Sequence, residues 1–216
     1  MFKNSKSIAL ALTLAGSLAV SGAQAASASF DFYKNGGGLG DSKSSLLSFT
    51  ANGVGVTITP VSTSDAAKVT YRWDGIGLYT GGLDLPELNS SLLHSPGDAL
   101  LLSFSEAVTL DKIAFSQWEN GLFGALDKAT ITTGGQTYAL SNSLNDNGLL
   151  VKTFSLGSVI PAGQFFLVQA TGDVSSFRLA GLNVTTVAAV PEASTVAMFG
   201  LGLLGVAAMA RRRTQG

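Results

Sequence analysis

Residues 54–61 read VGVTITPV. Val54, Val56 and Ile58 alternate with glycine and threonine, the two-residue period of a strand with one buried face. Residues 68–73, KVTYRW, repeat it through Val69, Tyr71 and Trp73. Outward from these two runs the chain keeps one texture, short β-rich segments punctuated by glycine, asparagine and serine. Strands are expected at 27–33, 46–50, 54–61, 68–73, 75–79, 99–105, 108–118, 129–134, 136–141, 149–156, 164–170 and 176–187. Gly134-Gly135 suits a tight hairpin, because both positions tolerate positive φ. Residues 145–148, NDNG, suit a longer loop, and Glu106-Ala107 a short turn between two apolar strands. No segment before residue 188 sustains the 3.6-residue period of an amphipathic helix, and no repeat of 20–50 residues is visible. The expectation is an all-β fold, a single jelly-roll-like β-sandwich over residues 26–187.

The composition agrees. Of 216 residues, 46% are hydrophobic and 12% charged, with 26 glycines. Soluble domains carry about 25% charged residues. The charge is unevenly placed. Residues 26–187 hold eight Lys and Arg against thirteen Asp and Glu, a net −5, whereas Lys3, Lys6, Arg211, Arg212 and Arg213 lie outside them. A nucleic-acid partner, which requires a basic face, is therefore not expected. The absence of cysteine excludes disulfides, thiolate zinc sites and a cysteine nucleophile.

Both flanks are apolar. Residues 1–25, MFKNSKSIALALTLAGSLAVSGAQA, place Lys3 and Lys6 before an apolar stretch at 8–20 and close on Ala23-Gln24-Ala25. This is the plan of a secretory signal peptide cut after Ala25, or after Ala28 where the small-residue spacing recurs. Residues 196–210 form a second uncharged run, ahead of three arginines. Counting Ser194 and Thr195, a helix there rises about 26 Å, short of the ~30 Å hydrocarbon core unless Arg211 snorkels. Arginines favour the cytoplasmic side, which would leave the β-rich part outside. Gly200, Gly202 and Gly205 spell G-x-G-x-x-G, but within an apolar plug, without the strand before and the acidic residue after that a dinucleotide site requires. They are read as slimming a membrane segment.

The tail closely resembles a PEP-CTERM sorting signal, which in some domain catalogues also carries the name ice-binding protein C-terminal domain. Val190, Pro191 and Glu192 match the short motif, residues 195–210 the hydrophobic span as a transmembrane helix, and Arg211, Arg212 and Arg213 the terminal cluster. Ala193 stands where the family usually has a second proline. The resemblance, over residues 188–216, implies recognition and cutting by an exosortase. It also implies a Gram-negative host that makes exopolysaccharide and biofilm, and a mature protein at the cell surface or in the extracellular matrix. A softer resemblance spans residues 75–118, whose acidic residue before a hydrophobic strand pair is similar to the middle of other PEP-CTERM proteins.

Candidate chemistry within residues 26–187 is sparse. His94 is the sole histidine, in a Ser-Pro-Gly loop without a G-x-S-x-G elbow, and reads as solvated. Asp74, Asp84, Glu87, Asp98, Glu106 and Glu119 are the carboxylates that glycoside hydrolysis would draw on, and nothing in the sequence pairs any two of them. Asp31, Asp146 and Asp173 are the oxygen donors available to a structural calcium, though a plain turn explains each. Trp73, Tyr79 and Trp118 are the aromatics that could stack on sugar rings. The expectation is a non-enzymatic exported protein without a cofactor. Its partners are signal peptidase and the export machinery, an exosortase, and the membrane in passing. The alternatives are a carbohydrate-binding module holding exopolysaccharide and, behind it, a glycan-active hydrolase.

Overall fold

The computed structural model describes residues 24–33, 42–62, 67–81, 86–91, 97–118, 127–141, 151–188, 200–203, 206 and 211. Contacts divide the chain into two units, Ala25–Val187 and the two flanks taken together. Within Ala25–Val187 the described residues form thirteen strands and one short 3₁₀ turn, Gly157–Val159. The strands are β1 Ser27–Asp31, β2 Ser42–Ser44, β3 Leu47–Ala51, β4 Val54–Val61, β5 Lys68–Arg72, β6 Gly75–Tyr79 and β7 Leu88–Ser91. They continue with β8 Ala99–Ser116, β9 Lys128–Thr133, β10 Gln136–Ser141, β11 Val151–Ser155, β12 Gly163–Thr171 and β13 Val174–Thr186.

Every described ladder is antiparallel, and together they make one continuous sheet. The all-β expectation therefore holds, in the form of one antiparallel sheet running through two long shared strands. The first half of β8 lies between β4 and β12, and its second half between β11 and β13. The turn expected at Glu106-Ala107 is absent. Those residues are exposed but remain in strand, and the β12 ladder jumps from Gly163 opposite Val108 to Phe165 opposite Ser103. The chain bends there through a local irregularity, the usual way a strand passes from one set of partners to another.

Two further irregularities set which residues point inward. Along β8, Leu100, Leu102, Phe104, Val108 and Leu110 are buried, and then the parity changes to Ile113 and Phe115. The β8–β13 register shifts at that point, between Asn183 and Val184. Along β13, Ser175, Phe177 and Leu179 are buried before a second shift, and Leu182, Val184 and Thr186 after it. A strand's faces alternate strictly, so each extra residue exchanges inside for outside. The tight hairpin at Gly134-Gly135 joins β9 to β10, with φ of 56° and 77°.

The core also joins strands that share no ladder. Phe30 of β1 lies 6.4 Å from Phe104 of β8, and Phe32 lies 4.9 Å from Phe49 of β3, ring centre to ring centre. Phe49 in turn meets the Tyr71 ring edge-on at 5.5 Å. Burial, and secondarily the negative charge of Asp31, raise the Tyr71 pKa above the usual tyrosine value. Because the folded pKa is the raised one, stability is intact below about pH 10 and falls as pH rises through it. Tyr71→Phe is therefore expected to remove part of the alkaline loss in a pH series of unfolding curves. Identical alkaline limbs for variant and parent would refute this.

Candidate functional site

The β5–β6 hairpin turns on Trp73 and Asp74, since Arg72 pairs with Gly75. The two turn residues point in opposite directions. Asp74 is buried, while Trp73 keeps 42% of its surface exposed and lies beside Tyr33, ring centres 6.1 Å apart. Gly75 has φ of 131°, and a Cβ there would stand 2.7 Å from the Leu179 carbonyl, so the turn sits directly on β13.

Beneath this turn is a buried polar network. Arg178 reaches Asp74 with Nη1 to Oδ1 at 3.4 Å, and Glu87 with Nη2 to Oε1 at 3.3 Å. Its Nε donates to Gln117 Oε1 at 3.4 Å, and Gln117 Nε2 donates to Asp74 Oδ2 at 2.7 Å. The Ser116 hydroxyl donates to the Asp74 carbonyl, and the Ser176 hydroxyl to Glu87 Oε2. Gln117 adopts φ of 58°, a left-handed conformation that costs about 1–2 kcal/mol for a residue with a Cβ, offset here by the two side-chain bonds it makes. The parity change in β13 accounts for the arginine's place. With Phe177 and Leu179 pointing into the apolar core, Arg178 takes the opposite face, which the hairpin turn covers.

Of the six carboxylates considered for hydrolysis, the structure thus brings Asp74 and Glu87 together, through Arg178. Their side chains are only 6% and 12% exposed, and the guanidinium lies against both. The arrangement serves to fix the turn: Asp74 Oδ2 accepts from Gln117 and Glu87 from Ser176 and Arg178, while Asp74 Oδ1 and Arg178 Nη1 face each other as an ion pair without a hydrogen bond. Asp98 has a separate task. Its Oδ2 accepts from the Asn89 amide at 3.0 Å and its carbonyl accepts from the Ala170 amide at 2.9 Å, which ties β7 to β12. Glu106 is exposed on the β8 bend, and Asp84, Glu119 and His94 lie outside the described residues.

The three aromatics proposed for sugar stacking divide sharply. Trp118 is 8% exposed, with Phe115 stacked at 5.2 Å and Phe177 at 5.0 Å, so it is a core residue and offers no stacking face. The Tyr79 ring is covered by Lys43, whose Nζ lies 3.4 Å from the ring centre. Trp73 alone of the three presents an open ring.

Beside Tyr33 a shallow cavity of about 290 Å³ opens on the solvent face of β1, β13, β8 and β11. The registers place Asp31, Gly181, Ala114 and Thr153 in one row across these four strands, and Ser29, Asn183 and Lys112 in the row beside it. Gly181 and Ala114 make the floor low, and longer side chains stand around it. Asp31 thus belongs to this groove and Asp173 lies exposed in the turn before β13, while Asp146 is outside the described residues. Among the described residues no three His, Cys, Asp or Glu side chains are placed to hold one metal ion.

In the tail, Gly200, Leu201, Gly202, Leu203, Val206 and Arg211 are helical, and the leucines and Val206 are exposed. Val190, Pro191, Glu192, Arg212 and Arg213 lie outside the described residues, as do Ala23 and the rest of residues 1–23. Among the described residues no helix is long and apolar enough to cross a membrane.

Fold and tail together define an all-β protein that carries a separate sorting segment. Residues 189–213 match the family model of the PEP-CTERM protein-sorting motif, so the chain carries that sorting motif in its tail. The motif implies exosortase processing and export to the cell surface. No curated protein and no solved structure matches the chain.

Proposed function

We propose that this protein is a non-enzymatic component of the cell surface or extracellular matrix of a biofilm-forming Gram-negative bacterium. Residues 1–25 direct export as a signal peptide cut after Ala25. The apolar run at 195–210 then holds the chain at the cytoplasmic membrane, with Arg211, Arg212 and Arg213 as its inner stop, until an exosortase cuts near Val190-Pro191-Glu192. The β-rich part, wrapped as a jelly-roll-like sandwich, is the product delivered. The match at residues 189–213 carries this reading. Support for the absence of catalysis is that the two carboxylates brought together, Asp74 and Glu87, are occupied by Arg178. The reading requires no cofactor. Grafting residues 188–216 onto an unrelated exported passenger tests it. In a host with an exosortase the passenger is expected at the surface with the graft removed. A graft still attached in the inner membrane would overturn the reading.

A second reading, a carbohydrate-binding role in the matrix, is favoured by the exposed Trp73 packed beside Tyr33 at the end of a groove lined by both apolar and polar side chains.

A further inference from the structure

We propose that the groove across β1, β13, β8 and β11 is a glycan-binding site, and that its ligand is a neutral, linear oligosaccharide laid across the strands. The proposal rests on the carbohydrate-binding reading and gives it a location, composition and orientation.

The geometry supplies the shape. Four adjacent strands at about 4.8 Å spacing make a trough roughly 14 Å long. Its floor follows the row Asp31, Gly181, Ala114, Thr153, where the two central positions rise no higher than a methyl group. A Cβ on Gly181 would stand 2.9 Å from the Phe30 carbonyl, so the floor is held low by backbone packing as well as by the small side chain. The volume, about 290 Å³, is at the lower edge of the ~300–1,000 Å³ of small-molecule sites, room for about one or two sugar rings. A chain of such rings would continue past Tyr33 to Trp73.

The chemistry around the trough suits a sugar ring, which has an apolar face and a rim of hydroxyls. Asn183 accepts from the Ser29 hydroxyl at 3.3 Å through Oδ1, which leaves both its N–H donors unclaimed by any described residue. Lys112, paired with Asn183 in the β8–β13 ladder, adds a cationic donor beside it. Asp31, whose Oδ1 accepts from the Tyr33 amide at 3.0 Å, closes the end of the floor. The Trp73 and Tyr33 rings provide the apolar platform, tilted 54° to one another so that a chain bends between them.

Charge narrows the class. A net −5 over residues 26–187 repels polyanionic chains, and one lysine in the trough cannot reverse that field. A neutral glycan meets no such barrier. The buried Arg178 network then gains a purpose, since it fixes Asp74 and with it the turn that carries Trp73.

The experiment is titration of the full chain with neutral hexasaccharides, namely cello-, laminari-, malto- and xylohexaose, followed by tryptophan fluorescence. Trp118 is buried, so a response reports Trp73. At least one sugar is expected to bind with a Trp73 signal. Ala114→Leu, which fills the floor, and Asn183→Ala are each expected to weaken it about tenfold, a loss of about 1.4 kcal/mol. Both substitutions lie on the solvent face, and an unchanged Trp118 emission shows that the core is intact. Binding that persists equally in both variants would overturn the groove while leaving a carbohydrate role standing. The absence of binding to any of the four sugars would overturn both.

Discussion

Replacing Arg178 with alanine is expected to destabilise the fold by about 3–5 kcal/mol, because it strands two buried carboxylates. Asp74 loses its partner at Nη1, Glu87 loses its partner at Nη2, and Gln117 loses the donor that rewards its left-handed backbone. A loss of this size is a large share of the 5–15 kcal/mol typical of a domain. Removing one partner of a buried ion pair differs in kind from removing the pair. A triple variant that replaces Arg178, Asp74 and Glu87 with apolar residues of similar volume is therefore expected to recover most of the loss. Urea unfolding of the parent and both variants measures this. An Arg178→Ala midpoint equal to the parent's would show that the network contributes nothing net. A triple variant as weak as the single one would show that the packing of the arginine stem, not charge, is what matters.

The second large effect lies in the tail. Replacing Pro191 and Glu192 with alanine is expected to leave nearly all of the exported protein with its C-terminal segment attached. Proline fixes its own φ and disfavours helix for the residue before it. An extended segment there would present its amides and carbonyls to a processing enzyme. Glu192 adds the one negative charge of the segment, just ahead of the apolar run. Ala193, where a second proline is usual, makes Pro191 the sole rigid element, so the substitution removes all of that restraint. Normal trimming of the double variant would show that recognition rests on the apolar run and the arginines alone.

The sequence reading and the structure agree where a single rule governs and part where two compete. Alternation in 54–61 and turn chemistry at Gly134-Gly135 act locally, and β4 and β10 run over the expected residues while β9 ends one residue early, at Thr133. Residues 99–105 and 108–118 read as two strands because Ser105, Glu106 and Ala107 are polar or small. In fact they are the exposed bend of one strand with different partners on its two halves. The signal was present in Leu110-Asp111-Lys112-Ile113, where two polar residues separate inward apolar ones and so require an extra residue in the ladder. β2 and β7 escaped detection because SKS and LNSS lack any apolar period.

The site was legible in part. Trp73 was read into the strand at 68–73 in series with Val69 and Tyr71, whereas β5 ends at Arg72 and Trp73 stands exposed in the turn. Trp118 is buried, because burial just past a strand end depends on which phenylalanines arrive from β11 and β13, and no local pattern carries that. Arg178 was passed over for a similar reason. Within SFRLAGL it reads as one solvated charge among apolar residues, and only the register shift beyond Leu179 places it under the Asp74 turn. The groove is an outcome of four-strand register, through which Gly181 and Ala114 become neighbours although 67 positions apart.

The most direct test of the central claim is the intact mass of the protein recovered from its native host, taken fraction by fraction. Sorting through the tail predicts a species in the outer or secreted fraction that lacks residues 1–25 and the residues after about Pro191. A species in the inner membrane that still carries residues 196–216 would contradict it, and would make the tail an anchor.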